Sequence, residues 1–376
     1  MKDQKQWEEA FLQKVFLKLS RVTDEVKSLN PYSTVEGKYD NMPMPPYSWT
    51  CGFWGGIQWW LYQMSEETKF LEKAKACSER MDAGLTAFTP LGHDVGFQYM
   101  LTTVPDYKIT GRERARISSI HAATLLAGRY NLAGGYIRAW NDGTGIDPTA
   151  RKDGYAIIDC MMNLPLLFWA SEETGDPRYK QIAMSHADTV MREFIRVDGS
   201  SEHIVVFNAE DGSVVEKPRG QGYDMGTSWT RGQGWAIYGF AMAYRYTKKQ
   251  AYLKTALKVA RYFLDNLPDN GVPPCDFKQP MEPAFVDASA GVIVACGLTE
   301  LQAWATEEER LWLEEGICKL LKGAYSNCDF TTKNQGILQN CFHKYHGDQK
   351  QISMVYADFY LLEVLLKRRN KIKMYI

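Results

Sequence analysis

The feature that most constrains this chain is a sixfold alternation of two kinds of apolar pattern. Stretches that are apolar almost all round begin at Trp49 (WTCGFWGGIQWWLYQM), Asp94 (DVGFQYMLTTV), Asp159 (DCMMNLPLLFWA), Trp229 (WTRGQGWAIYGFAMAYRY), Asp287 (DASAGVIVACGLTEL) and Tyr356 (YADFYLLEVLLK), at intervals of 45 to 70 residues. Between them lie amphipathic, charged stretches such as KFLEKAKACSERM, PRYKQIAMSHADTVMREFI and AYLKTALKVARYFLDNL, and the N-terminal segment supplies a sixth. A helix that is apolar on every side belongs inside a protein, and an amphipathic one belongs on its surface. Six inner helices alternating with six outer ones predict an all-α fold, an (α/α)6 barrel. No linker is long or polar enough to divide the 376 residues, so residues 1–376 read as one domain. The segment His203–Lys217, with Asp211-Gly212 at its turn, reads as a small hairpin decorating the helices.

Charge excludes whole classes of partner. Lys and Arg total 44 against 45 Asp and Glu, a net charge of −1, which leaves no electrostatic footprint for nucleic acid or an anionic membrane. The N-terminal stretch MKDQKQWEEAFLQKVFLKLS is charged throughout, unlike a secretion signal, and no uncharged apolar run is long enough to span a bilayer. Eight cysteines are scattered without metal-ligand spacing, which predicts reduced core thiols and a cytoplasmic location.

Within this frame one carboxylate needs a reason. Asp159 sits in GYAIIDCMMNLPLLFWA, between Ile157–Ile158 and a run of large apolar side chains. An ionised carboxylate is costly to bury without a partner. It is either a structural group opening an interior helix or a catalytic acid whose pKa is raised by desolvation. Pro165 is tolerated in a first helical turn and disruptive later, so regular helix is expected to start near Asn163–Pro165, with Asp159 just ahead of it.

In a toroid of this kind the starts of the inner helices face one mouth. Trp49, His93, Asp94, Trp140, Asp159, Trp229, Arg231, Gln233 and Trp235 should therefore converge, with His203 and Gln221 on the loop leading into the fourth inner helix. Two carboxylates, imidazoles, a guanidinium and several aromatic rings suit a sugar: rings stack on its C–H faces, and Arg suits a uronate carboxylate.

The motifs HDVGFQYM (93–100), IIDCMMNLPLLFWASEETGDPRY (157–179), SSEH (200–203) and SWTRGQGWAIYGFAMAYRYT (228–247) resemble the unsaturated glucuronyl hydrolases of glycoside hydrolase family 88, over most of the chain from Trp49 to about residue 367. The resemblance implies an (α/α)6 barrel that releases the 4,5-unsaturated uronic acid from the non-reducing end of lyase-generated oligosaccharides, glycosaminoglycan-type disaccharides above all. It implies Asp159 as the general acid and base, and Asp94 as the second required carboxylate. His203, Gln221 and Arg231 match polar contacts around the sugar and the water. Trp49, Trp140 and Trp235 match stacking or packing residues, and His93 belongs to the same substrate-binding group. No metal and no organic cofactor is implied, and the protein is expected to work as a monomer or small homo-oligomer.

Rival readings are an unsaturated rhamnogalacturonyl-type hydrolase, a sugar 2-epimerase using histidines on the same barrel, and a toroid that binds oligosaccharide without turning it over. Tolerance of sulfate stays open. The segment NCFHKYHGDQKQISMVYAD offers Lys344, Lys350, His343 and His346 as cationic candidates.

Overall fold

The computed structural model describes residues 2–39, 44–144, 149, 151–347 and 351–369. The predicted alternation is what the chain builds. The inner set consists of α2 (Cys51–Ser65), α4 (Val95–Met100) continued by α5 (Thr103–Thr110), α7 (Leu164–Thr174), α9 (Thr230–Thr247), α11 (Ala288–Gln302) and α13 (Val355–Arg369). The outer set consists of α1 (Lys2–Glu25), α3 (Thr68–Ala87), α6 (Glu113–Ala127), α8 (Pro177–Glu193), α10 (Gln250–Asp265) and α12 (Glu307–Ser326). In α9, 15 of 18 residues are buried, whereas its partner α10 buries only one face. Each inner helix packs on the next, and α13 returns to α2, so the ring closes as an (α/α)6 barrel.

Two local breaks shape the ring. The second inner helix is interrupted at Leu101–Thr102, because Pro105 can neither donate to the carbonyl four residues back nor avoid crowding it. The buried carbonyl of Thr102 is well satisfied, accepting from the Trp59 indole at 3.0 Å and the Ser78 hydroxyl at 3.1 Å. In the third inner segment a 3₁₀ turn, Ile158–Met162, precedes α7, which starts at Leu164 with Pro165 in its first turn, as expected. Gly96 is needed here: a Cβ on it would lie 2.3 Å from the Asn163 Cα, so only glycine lets α4 approach the start of α7.

The hairpin has a larger role than decoration. β4 (Ile204–Phe207) and β5 (Val214–Glu216) form it, with Gly212 at positive φ in the turn. A third strand, β3 (Tyr155–Ile157), pairs antiparallel with β4 in the register Ile157↔Ile204, and the Ile158 N–H donates to the His203 carbonyl at 3.0 Å. That register ends with Asp159 and His203 side by side. A separate short ribbon joins β1 (Tyr130–Asn131) to β2 (Tyr136–Ile137).

The end of the barrel away from the helix starts is closed by charge. Lys367 on α13 lies 3.0 Å from Glu363 and 3.9 Å from Glu300 on α11, and also meets the Tyr238 hydroxyl of α9. Tyr238 donates to Glu363 at 2.8 Å, and every one of these side chains is buried. Removing one partner of a buried pair leaves an uncompensated charge. Lys367→Met is therefore expected to lower stability by about 3–5 kcal/mol, read as a lower urea midpoint at unchanged m-value.

Candidate active site

The starts of all six inner helices meet at the opposite end. Trp49 before α2 packs on Tyr356 of α13 at 4.9 Å and on Phe97 of α4 at 5.9 Å between ring centroids. Arg231 of α9 lies 4.6 Å from the Trp229 ring and 5.7 Å from that of Tyr356, and it pairs with Asp287 at the start of α11. Asp94 and Asp159 complete the circle from α4 and α7.

The two carboxylates are held differently. Asp159 keeps 19% of its side chain open, and its Oδ2 faces the His203 Nε2 at 3.4 Å. The Gln221 N–H donates to the His203 Nδ1 at 2.9 Å, so in the neutral ring the proton sits on Nε2, although the Asp159 Oδ2 accepts no hydrogen bond. This approach requires Gly220, where a Cβ would lie 1.8 Å from the same Nδ1. The Trp229 ring covers the imidazole at 4.5 Å. Asp94 keeps 24% of its side chain open, lies 3.4 Å from the His93 Nε2, and accepts a long hydrogen bond (3.5 Å) from the Asn163 amide. Asn163 is locked by accepting from the Phe97 N–H at 2.8 Å. Burial first, and the nearby Asp159 second, push the Asp94 carboxyl up to about 7.

Three of the expected contact residues lie deeper than the others. His93 is fully buried, and desolvation draws its pKa down to about 3, so it is a neutral ring beside Asp94 with neither nitrogen hydrogen-bonded. Trp235, 1% exposed, packs on Phe97 at 5.3 Å and Tyr360 at 5.7 Å and backs the wall from within. Arg231, 3% exposed, turns its guanidinium to Asp287, the Phe342 and His343 carbonyls and the Gln221 side chain at 3.3 Å. It is a bolt between α9, α11 and the last loop, with no fork left open for a uronate. Trp49, Trp140 and Gln221 remain partly exposed at the mouth.

At the rim, burial, Arg231 and Lys344 lower the His343 pKa to about 4, so it contributes no positive charge near neutrality. His346 bonds the Tyr223 carbonyl at 2.7 Å, Lys344 is exposed, and Lys350 lies outside the described residues. Gln233 is buried against the Ser201 and Ser228 hydroxyls. Among the described residues the one trio spaced to share a metal ion is Glu8–Glu314–Cys318, at the closed end, and the Arg368 guanidinium bonds both of its carboxylates.

Asn163 was missed by the sequence reading, though a lone amide inside MMNLPLL is a visible signal for a buried polar contact. Arg129 was missed as well. It follows a helix end in an ordinary turn, and nothing in its neighbourhood distinguishes it.

The pattern of Glycosyl Hydrolase Family 88 matches residues 22–272. The chain belongs to this family. It is 36% identical over 326 residues to the unsaturated glucuronyl hydrolase of Bacillus sp. (strain GL1), covering 85% of each chain. It is 32% identical over 328 residues to the unsaturated chondroitin disaccharide hydrolase of Streptococcus pneumoniae (strain ATCC BAA-255 / R6), covering 85% of this chain and 81% of that one. The crystal structure of the unsaturated glucuronyl hydrolase from Bacillus sp. GL1 superposes with a TM-score of 0.88 at 32% identity, covering 96% of both chains. As a family 88 member the protein is a glycoside hydrolase, which sets aside the 2-epimerase and binding-only readings.

The raised Asp94 carboxyl carries a stability consequence. Its folded pKa of about 7 exceeds the ordinary value of 3.8. The native state therefore keeps a proton that the unfolded chain has lost, and stability falls as pH rises from about 4 to 7 before levelling off. Asp94→Asn removes the group. Its stability relative to wild type should rise across that interval, to a gain on the order of 1–4 kcal/mol at pH 8, measured by urea unfolding at several pH values. A gain independent of pH would mean that Asp94 is not the titrating group.

Proposed function

We propose that the enzyme hydrates the C4=C5 double bond of a 4,5-unsaturated uronic acid at the non-reducing end of lyase-generated oligosaccharides, with glycosaminoglycan-type disaccharides as the leading substrates. The observation that carries this reading is the pair Asp94 and Asp159 at the mouth, with the His203 ring beside Asp159 and the Asn163 amide donating to Asp94, in a family 88 barrel. The names of its relatives, hydrolases of unsaturated glucuronyl groups and of unsaturated chondroitin disaccharides, support the substrate class.

The chemistry requires one proton delivered to carbon and one water activated. The unsaturated uronide is an enol ether, so protonation at C4 leaves oxocarbenium character at C5. Asp159 delivers the proton, then as carboxylate takes one from the water that adds at C5. The resulting hemiketal opens and expels the remaining sugar. Burial first, and the nearby Asp159 second, keep Asp94 protonated to about pH 7, so a proton is held close to Asp159 near neutrality. The His203 ring stands 3.4 Å from the Asp159 carboxyl. Trp49 and Trp140 line the mouth and suit stacking on the sugar, and Gln221 presents its side chain beside them. His93, Trp235 and Arg231 act behind the surface by holding these groups in place.

One barrel carrying the whole site supports reading residues 1–376 as one catalytic domain. Among the described residues no helix is long and apolar enough to cross a membrane. Among the described residues no disulfide joins the cysteines, six of which are buried, which supports a reducing, cytoplasmic compartment downstream of a secreted lyase and an importer.

The test follows absorbance near 235 nm, where the conjugated C4=C5–carboxylate absorbs, with unsaturated disaccharides from chondroitin, hyaluronan, heparin and pectin. Wild type should bleach at least one of them. Asp159→Asn should lose about 10²–10⁴-fold in kcat while still binding the substrate. Turnover of the pectin-derived substrate alone would favour the rhamnogalacturonyl-type reading, and undiminished Asp159→Asn activity would remove Asp159 from the chemistry.

A further inference from the structure

The loop carrying Asp94 and the loop carrying Trp140 have no covalent or helical connection at the mouth, yet both must be fixed for a sugar to sit between them. Two side chains, Arg129 and Asn141, join them. From the turn after α6, the Arg129 guanidinium donates through Nε to the Arg138 carbonyl at 2.8 Å and through Nη2 to the Ala139 carbonyl at 3.1 Å. Through Nη1 it reaches the Asn141 Oδ1 at 2.9 Å and the Leu91 carbonyl at 3.3 Å. Asn141 extends the seam, donating to the Thr89 carbonyl at 2.9 Å and the Leu91 carbonyl at 3.0 Å, and the His93 N–H reaches the Ala139 carbonyl at 3.2 Å. Residues 89–93 and 138–141 are thus sewn together by one fork and one amide, immediately beside Asp94 and Trp140.

The second property of Arg129 is its charge. Among the described residues no carboxylate lies within ion-pair distance of it, and its fork is taken up by four neutral oxygens. Burial first, and the neighbouring Arg138 second, draw its pKa down to about 10, so the guanidinium remains an unpaired cation around neutral pH.

We propose that Arg129 is a positioning residue for the hydrolase reaction: it clamps the Asp94 loop to the Trp140 loop and sets a permanent positive charge behind the carboxyl pair without bonding to either carboxylate. The proposal rests on the assignment of Asp94 and Asp159 given above. The groups facing Asp94 are His93 on its own loop, Asp159 and Cys160 on the 3₁₀ turn, Asn163 ahead of α7, and Arg129. Of these, Asp159 pushes the Asp94 pKa up, while Arg129 and the Asn163 hydrogen bond hold it down. A cation bonded directly to Asp94 would pull it to the ordinary carboxylate range and strip it of its proton at neutral pH. A cation held back by neutral oxygens moderates the shift and leaves the proton in place.

Two variants separate the clamp from the charge. Arg129→Lys keeps the charge and loses the fork; Arg129→Met loses both. The measurement is kcat and KM from pH 5 to 9 by 235 nm bleaching, with a thermal melt of each variant and amide hydrogen exchange of the 91–97 backbone. Arg129→Met should move the pH midpoint near 7 upward by about half a unit or more and lower kcat at least about tenfold, with KM within about twofold. Arg129→Lys should keep the wild-type midpoint, lower kcat about three- to tenfold, and speed exchange across 91–97. A pH profile of Arg129→Met that is scaled down without moving overturns the charge role. Wild-type kcat and wild-type exchange in Arg129→Lys overturn the clamp, and they do so even where Arg129→Met fails to fold. If the wild type bleaches none of the disaccharides, the substrate reading fails, and the exchange measurement still decides the clamp.

Discussion

Burial and the like charge of Asp159 make the Asp94 carboxyl resist ionisation, and the surrounding structure is arranged around that cost. A direct lysine or arginine partner would be the simplest remedy. Among the described residues neither Asp94 nor Asp159 has one within ion-pair distance; each meets a histidine ring at 3.4 Å, and Asp94 also meets the Asn163 amide. Neutral donors orient a carboxylate without stripping it of its proton, whereas a bonded cation fixes it as an anion. A group that must give a proton to carbon and then recover one from water needs the first environment.

This constraint accounts for the placement of the arginines near the mouth. Arg231 is drawn off by Asp287, which also caps α11 through the Ser289 N–H and accepts from the Phe342 N–H. Arg129 is drawn off by backbone carbonyls and Asn141. Both cations stand near the carboxyl pair, and both have their hydrogen-bonding capacity used elsewhere. The same constraint explains His93: a fully buried ring whose pKa is drawn down to about 3 is a neutral shape beside Asp94, never a competing charge.

The parts of the architecture that repeat were readable in the sequence, and the parts made by short or singular elements were not. Fifteen-residue apolar helices beside amphipathic ones carry a period that survives without any structure, and Pro165 announced where α7 begins. The break at Leu101–Thr102 was equally written in Pro105, but six residues of α4 show too little period to separate it from α5. β3 is three residues long and leaves no alternation to detect, so the hairpin looked peripheral although its register sets Asp159 against His203. At the site, residue types identified the carboxylates and aromatics. Exposure, which decides between touching a ligand and supporting something that does, depends on packing from the rest of the ring. His93, Trp235 and Arg231 moved from the first role to the second for that reason.

The two ends of the barrel solve the same problem in opposite ways. At the closed end, the carboxylates of Glu363 and Glu300 are deeply buried, and each is paired: Glu363 with Lys367 and Tyr238, Glu300 with Arg245 and Lys367. That arrangement neutralises charge and ties α9, α11 and α13 together. At the mouth the ring is tied by Arg231 and Asp287, so the reactive carboxyl groups are spared from that structural task. Burial alone therefore does not mark the catalytic acid in this fold. What sets the proposed pair Asp94 and Asp159 apart is partial exposure without a bonded cation at the end where the helix starts meet; among the described residues Asp276 and Asp358 there also lack one, but they are fully buried and spent on backbone N–H groups.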